Sequence, residues 1–290
     1  MTFRPRMNAR TDLNRPLLPA GLAGGDILFK HASDGWISQR IRKGQAPHYQ
    51  EAKQALLEAA SKGEVELQRM PAEAEATDIT HVAVAAGPDD VLEFDEGGAS
   101  KWEIVTKSGR GFVRGRMNME SRLGKKYEVY QCTHDGLWQK AIDKAALVWD
   151  LTHVTNAGTQ QDKVQDKTPL TGSYGLKKML NTAILRKRGP DVSLKYFETT
   201  LNDWLKAADK RNQGDRFANT NIQFFCSQFV LFCYLWAAAE LQQSEKLGGL
   251  DYILGGKASV SPTELYTRIK SAGGGFFRYK GTLKTEGPAR

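Results

Sequence analysis

Two short apolar segments joined by a tight turn constrain the fold of this chain most. Residues 80–86 read Thr-His-Val-Ala-Val-Ala-Ala, and residues 91–95 read Val-Leu-Glu-Phe-Asp. Between them, residues 87–90 supply Gly-Pro-Asp-Asp, a run of residues that favour turns. Apolar runs on both sides of such a turn are typical of an antiparallel β-hairpin, so we predict two paired strands here.

Further strands and helices are predicted around this hairpin. Strand patterns cover residues 26–29, 102–105, 127–132 and 276–279. Helical patterns cover residues 36–41, 48–62, 136–151, 176–186, 192–208 and 225–243. The run Ser261-Pro262-Thr263-Glu264-Leu265 fits the capped start of another helix, and residues 64–78, 152–172 and 209–221 are expected to be irregular. The order of helix, strands and then helices favours an α+β fold.

Length and composition set the expected domain organisation. The chain has 290 residues, of which 40% are hydrophobic, and that is enough to bury a substantial core. Residues 1–20 contain three arginines before position 11 and two later prolines, so we expect a flexible arm. We expect residues 21–290 to form a single domain.

Charge and hydropathy restrict the expected partners and location. Basic residues number 41 against 33 acidic ones, a net charge of +8 that favours anionic partners such as phospholipid surfaces or acidic wall polymers. No nucleic-acid-binding motif is present, so we expect no nucleic-acid partner. The longest apolar run, residues 229–239, is too short to span a bilayer, and the N-terminus shows no Sec signal. We therefore expect a chain made in the cytoplasm without a transmembrane segment, for which peripheral membrane contact is an open alternative.

The three cysteines differ in their predicted environments. Their odd number and spacing suggest free thiols, and no CxxC pair or His/Cys cluster points to zinc, so no metal or other cofactor is expected. Cys226 lies at the start of the apolar helix, where backbone N–H groups and the helix dipole favour a thiolate and an oxyanion. Cys233 is two turns further on, and Cys132 ends a strand; we interpret both as packing residues.

A thiol nucleophile also needs a base and a group that orients the base. His81 lies at the start of an apolar strand and is the candidate base, because the other four histidines fall in predicted loops or helix ends. Glu93 lies 12 residues later on the returning strand, on the face opposite to Leu92 and Phe94. The hairpin therefore brings Glu93 beside His81 as the orienting carboxylate. Asp95 shares that face and is the main alternative, and Glu96 is a weaker one.

These motifs together resemble the circularly permuted papain-like family, which includes permuted NlpC-type (YiiX-like) enzymes and lecithin:retinol acyltransferase-like proteins. In the permuted order the histidine and its partner precede the cysteine. The resemblance implies a permuted papain-like fold, with a small antiparallel sheet or barrel packed against helices. It also implies Cys226 as nucleophile, His81 as base and Glu93 as the orienting group. The segments that carry it are 25–29, 33–38, 81–84, 92–94, 225–230 and 261–265.

Two segments depart from the family pattern. Residues 45–78 replace a short link between the first helix and the histidine strand, and residues 152–221 are long for a minimal member. We expect both to be insertions that wall the cleft, form a lid or bind a partner.

The resemblance implies a cysteine hydrolase that acts through a thioester acyl-enzyme. The first hypothesis is an amidase or peptidase that acts on peptidoglycan or a related amide. Such a bacterial enzyme without a Sec signal is compatible with a toxin or effector exported by a specialised secretion system, with an inhibitor or immunity protein as partner. The alternatives are a phospholipase or acyltransferase acting on membrane lipids, and a non-catalytic binding module.

Overall fold

A computed structural model of the chain describes residues 21–32, 36–95, 98–107, 110–114, 123–153, 173–174, 193–213, 215, 223–242, 247, 249–255, 257 and 259–286. The predicted arm at 1–20, the predicted helix at 176–186 and most of the predicted loop at 152–172 lie outside these residues. The statements below concern the described part.

The described elements match most of the predicted ones. The strands are β1 (Ile27–His31), β2 (Ile79–Ala85), β3 (Asp90–Asp95), β4 (Gly98–Lys107), β5 (Arg110–Arg114), β6 (Lys126–Cys132), β7 (Ser173–Tyr174), β8 (Gln223–Phe224) and β9 (Phe277–Glu286). The helices are α1 (Trp36–Gly44), α2 (Ala46–Ser61), α3 (Glu73–Thr77), α4 (Asp135–His153), α5 (Leu194–Asn212), α6 (Cys226–Leu241), α7 (Leu250–Leu254) and α8 (Pro262–Ala272). The predicted α+β class is confirmed.

Seven of the described strands form a closed barrel in the order β1-β2-β3-β4-β5-β9-β6. Neighbours pair in antiparallel fashion except β5 and β9, where Gly111 and Phe112 pair in parallel with Thr285 and Glu286. The barrel is thus antiparallel, as expected, apart from this one parallel seam. The reason is that β9 extends well beyond the predicted residues 276–279 and reaches β5 after pairing with β6.

Alternating side chains divide the core into two parts. Leu28, Ala83 and Val91 belong to a cluster that fills the barrel. The intervening residues, such as Val82 and Leu92, belong to the larger cluster between the barrel and the helices. This alternation follows from the two-residue period of a strand, and it assigns each strand residue to the inside or the outside of the barrel.

Helix α6 is the centre of the helical layer. Every residue from Cys226 through Ala238 is buried. A helix that is apolar on all faces must be covered on all faces, and α6 packs against β2 and β3 on one side and against α4 on another. This packing brings the first turn of α6 to the strand that carries His81.

Residues 45–78 are part of the main core. Tyr49, Leu56 and Ala76 belong to the large apolar cluster, and α2 packs along α8. Residues 64–78 are not wholly irregular as predicted, because α3 forms at 73–77 and buries Ala76 and Thr77.

Helix α5 continues to Asn212, so the loop predicted from residue 209 begins later than expected. Asp209 and Lys210 extend the exposed side of this amphipathic helix. Within the described part of the chain, no helix has the length and apolar character needed to cross a membrane.

Candidate active site

Cys226 is the first residue of α6. Phe225 before it has an extended backbone (φ −104°, ψ 164°), so the helix starts abruptly at the thiol. The Cys226 side chain is only 1% exposed. Its Sγ accepts hydrogen bonds from the backbone N–H groups of Val82 and Ser227. Because the first N–H groups of a helix have no partners within the helix, the Ser227 N–H is available for this role.

His81 lies on β2 beside an irregularity in the pairing with β1. Lys30 pairs with His81, whereas the next residue, His31, pairs with Ile79. One step along β1 thus corresponds to two steps along β2, which is a β-bulge at Thr80. Bulges bend a strand and redirect the side chains next to them, and they are common beside active sites. His81 is 8% exposed and is the third residue of β2 rather than its first.

Glu93 binds His81 directly. The His81 Nε2 and Glu93 Oε2 atoms are 2.7 Å apart, and the Glu93 side chain is 3% exposed. Val84 pairs with Leu92, and extending that register places Glu93 opposite Ala83. His81 lies two residues before Ala83 on the same face of the hairpin, so it is the diagonal neighbour that the Glu93 side chain reaches. Asp95 ends β3, but its side chain and residue Glu96 lie outside the described part, so the bond to His81 is described for Glu93 only.

Cys226 and His81 are also hydrogen-bonded to each other. Because Nε2 faces Glu93, the Nδ1 atom of His81 is the one left for the thiol. Hydrogen bonds therefore connect Cys226 to His81 and His81 to Glu93. The three side chains come from α6, β2 and β3, so their order in the sequence is His, Glu and then Cys.

Electrostatics favour the charged forms of both Cys226 and His81. Burial alone would lower the pKa of the His81 imidazole, but Cys226 and Glu93 outweigh it and raise that pKa from 6.5 to about 9. Burial alone would raise the pKa of the Cys226 thiol, but the His81 cation and the two backbone N–H groups outweigh it and lower that pKa. Both shifts favour a thiolate–imidazolium pair over the neutral thiol and imidazole.

The other two thiols have the opposite character. Burial raises the pKa of Cys132 to about 12. Burial also raises the pKa of Cys233, which lies in the middle of α6 and is fully enclosed. Both are therefore protonated at neutral pH, as their interpretation as packing residues requires.

The remaining histidines differ from the prediction in one case. His48 lies in the first turn of α2, His153 ends α4, and the Nδ1 of His134 accepts from the Leu137 N–H at 3.2 Å at the start of α4. The prediction is wrong for His31, because that residue ends β1 and is not in a loop. There its ring lies between Asp78 (2.9 Å) and Glu128 (3.3 Å).

The backbone donors of the site were not predicted individually. The Ser227 N–H follows from the helix start, but the Val82 N–H reaches Cys226 only because α6 packs against β2. A backbone donor carries no side-chain signature, so no sequence signal identifies it. Among the described residues, no group of three or more His, Cys, Asp or Glu side chains has an arrangement that holds a metal ion.

No protein-family model, curated protein or solved structure matches this chain.

Proposed function

We propose that this chain is a cysteine hydrolase with a circularly permuted papain-like fold, and that it cleaves amide bonds through a thioester acyl-enzyme. The observation that carries the proposal is the hydrogen-bonded chain from Cys226 through His81 to Glu93 at the start of a buried helix. The order of the three residues and the barrel beside the helices support the permuted papain-like assignment.

The mechanism follows from the charges of the pair. The Cys226 thiolate attacks the carbonyl carbon, and the carbonyl π electrons move onto oxygen. The oxyanion is stabilised by the first backbone N–H groups of α6, which include the Ser227 N–H that the sulfur releases when it bonds to carbon. The oxyanion then collapses and breaks the C–N bond, while the His81 Nδ1–H gives its proton to the departing nitrogen. The products of this half-reaction are a free amine and a thioester on Cys226.

The second half-reaction restores the site. Neutral His81 removes a proton from water, and the resulting hydroxide attacks the thioester carbonyl. The C–S bond breaks and releases a carboxylic acid, and the thiolate–imidazolium pair forms again. Glu93 accepts from Nε2 throughout, so it keeps the imidazole in the tautomer and orientation that both steps need.

An amide is favoured over other acyl donors by the charge state of His81. An amine is a poor leaving group unless it is protonated as the bond breaks. The raised pKa of His81 keeps a proton on the imidazole at neutral pH. Within amides, the net charge of +8 favours an acidic polymer, and we propose peptidoglycan peptides as the substrate class.

The test uses purified peptidoglycan fragments and, separately, vesicles of anionic phospholipid, with products identified by mass spectrometry. We expect the wild-type chain to release amines and carboxylic acids from the fragments, and Cys226→Ala and His81→Ala to release neither. Cys233→Ala is the matched control and should retain activity. Release of fatty acid from the vesicles would show that the substrate is a lipid ester and not an amide. Equal product yields from wild type and Cys226→Ala would reject catalysis by Cys226.

A further inference from the structure

A buried glutamine outside the Cys226–His81–Glu93 chain holds the strand that carries His81. Gln45 lies between α1 and α2 and is fully buried. Its Nε2 donates to the backbone carbonyl of Ile79 at 2.9 Å, and its Oε1 accepts from the backbone N–H of Thr263 at 2.9 Å. One side chain thus joins the first residue of β2 to the first turn of α8.

The bulge at Thr80 lies directly between Ile79, which Gln45 holds, and His81. The β1–β2 pairing shifts between Lys30 and His31, so the regular ladder is interrupted on the N-terminal side of His81. Loss of a hydrogen bond to a buried carbonyl costs about 1–3 kcal/mol, and the Gln45 amide donates one such bond to the Ile79 carbonyl. The bulge redirects His81, and Gln45 stabilises the bulged end of the strand.

The second hydrogen bond of Gln45, to Thr263, connects it to the helix start that holds Cys226. Thr263 belongs to α8, whose N-terminal cap is Ser261. Directly before that cap, the Val260 carbonyl accepts from the Ser227 hydroxyl at 2.7 Å, and Ser227 follows Cys226. Ser227, Val260 and Thr263 are all 0% exposed. A continuous buried connection therefore runs from the start of β2 through Gln45 and the start of α8 to the start of α6.

Gln45 itself is held firmly by its own backbone. Its N–H donates to the Arg42 carbonyl at 3.3 Å, and its carbonyl accepts from the Tyr49 N–H at 3.1 Å. The ends of α1 and α2 thus fix the position from which the side chain extends. The residue also opens the segment 45–78, which departs from the pattern of the resembled family.

We infer that Gln45 is a positioning residue that sets the distance between His81 and Cys226 by tying β2 to the α8 start that also holds α6. The inference rests on the proposed function, because it concerns the same thiolate–imidazolium pair. His81 lies two residues after Ile79 on β2, so a small displacement of Ile79 also moves His81. The Ser227 hydrogen bond meanwhile keeps Cys226 in place. Loss of Gln45 should therefore weaken the pair without removing either member.

The test measures the pH dependence of Cys226 alkylation by iodoacetamide, followed at the Cys226 peptide by mass spectrometry, so that no substrate is needed. Gln45→Met removes both hydrogen bonds at nearly constant volume. We expect the midpoint of its profile to rise by about one pH unit, which corresponds to about tenfold slower alkylation below the midpoint. A wild-type midpoint in folded Gln45→Met would overturn the inference.

Two matched controls separate positioning from general destabilisation. Gln54→Met makes the same substitution at an exposed position of α2. Tyr49→Phe removes a buried hydrogen bond to the Pro71 carbonyl, at 2.8 Å, within the same segment. Both variants should keep the wild-type midpoint of the alkylation profile. A shift in Tyr49→Phe equal to that in Gln45→Met would show that the midpoint follows general destabilisation of the segment, and it would overturn the inference.

A second variant decides the question if Gln45→Met does not fold. Gln45→Glu keeps the acceptor for the Thr263 N–H but places a carboxylate oxygen against the Ile79 carbonyl. It should raise the midpoint as well, and a wild-type midpoint in this variant would contradict the role. A wild-type chain whose Cys226 reacts with an ordinary thiol profile, unchanged in His81→Ala, would instead reject the ion pair and the proposed function.

Discussion

Two opposing effects act on the pKa of His81: burial lowers it, and two negative neighbours raise it. The neighbours dominate. The resulting pKa of about 9 sets an upper limit for any step in which the imidazolium donates a proton. The thiolate persists above that pH, because deprotonating His81 does not protonate Cys226. Above this pH the site therefore keeps its nucleophile and loses its proton donor.

We predict that amide cleavage falls above pH about 9 while alkylation of Cys226 does not. Below this pH the imidazolium is present, and as pH rises through its pKa the general acid is lost. The measurement compares kcat/KM on peptidoglycan fragments with the iodoacetamide rate on the same preparation. Cleavage that continues to rise beyond pH 10 would show that His81 is not the proton donor.

Glu93 affects His81 through its charge as well as its hydrogen bond. Glu93→Gln keeps an acceptor for Nε2–H but removes one of the two negative neighbours that raise the His81 pKa. We predict that the alkaline limit of cleavage moves down by about one pH unit and that activity at neutral pH falls less than in His81→Ala. The exposed Glu103→Gln on β4 is the control and should leave the profile unchanged. An unaltered limit in Glu93→Gln would assign the orienting role to another carboxylate, such as Asp95.

At the scale of elements, the turn before β1 is fixed by its contact with α4. Gly25 has φ +80°, and a Cβ added there would lie 2.5 Å from the Trp138 Cβ. Gly63, which follows the C-cap of α2, has a similar φ of +73° but nothing within 4 Å of such an atom. The two glycines therefore share the backbone requirement and differ only in packing.

This difference gives a paired prediction. Gly63→Ala should lower the free energy of unfolding by about 1–2 kcal/mol, the cost of a left-handed conformation. Gly25→Ala should cost clearly more, roughly 3 kcal/mol or above, because steric overlap with α4 adds to the same backbone cost. Urea denaturation of both variants checks the comparison. Equal costs would mean that α4 shifts freely away from the turn.

The elements differ in how far the sequence determines them. The hairpin and the start of α6 are local features, visible as a turn between apolar runs and as an apolar helix after a polar segment. Glu93 was predicted beside His81 because the hairpin places both on neighbouring strands, and the two side chains do meet, as diagonal neighbours on one face. The bulge at Thr80 and the parallel β5–β9 seam depend on partners distant along the chain, so no local pattern indicates them. Gln45 was missed for the same reason, since its partners lie 34 and 218 residues away.

For the whole molecule, residues 45–78 decide whether the chain is one cooperative unit. The family resemblance treats this segment as an insertion, yet its apolar residues join the same core as β2, α6 and α8. Its hydrogen bonds reach the same elements, including one from the Thr263 hydroxyl to the Ala76 carbonyl at 2.9 Å. An insertion that completes the core cannot unfold alone without exposing the elements that hold the active site.

Two adjacent leucines of α2 test this point. Leu56 is fully buried and Leu57 is 49% exposed. We predict that Leu56→Ala lowers the free energy of unfolding by about 3 kcal/mol and that Leu57→Ala changes it by less than about 0.5 kcal/mol. The Leu56→Ala loss should appear in one transition, with the same midpoint by circular dichroism and by exposure of the Cys226 thiol. Two separate transitions, with Cys226 protected through the first, would make residues 45–78 an independent module.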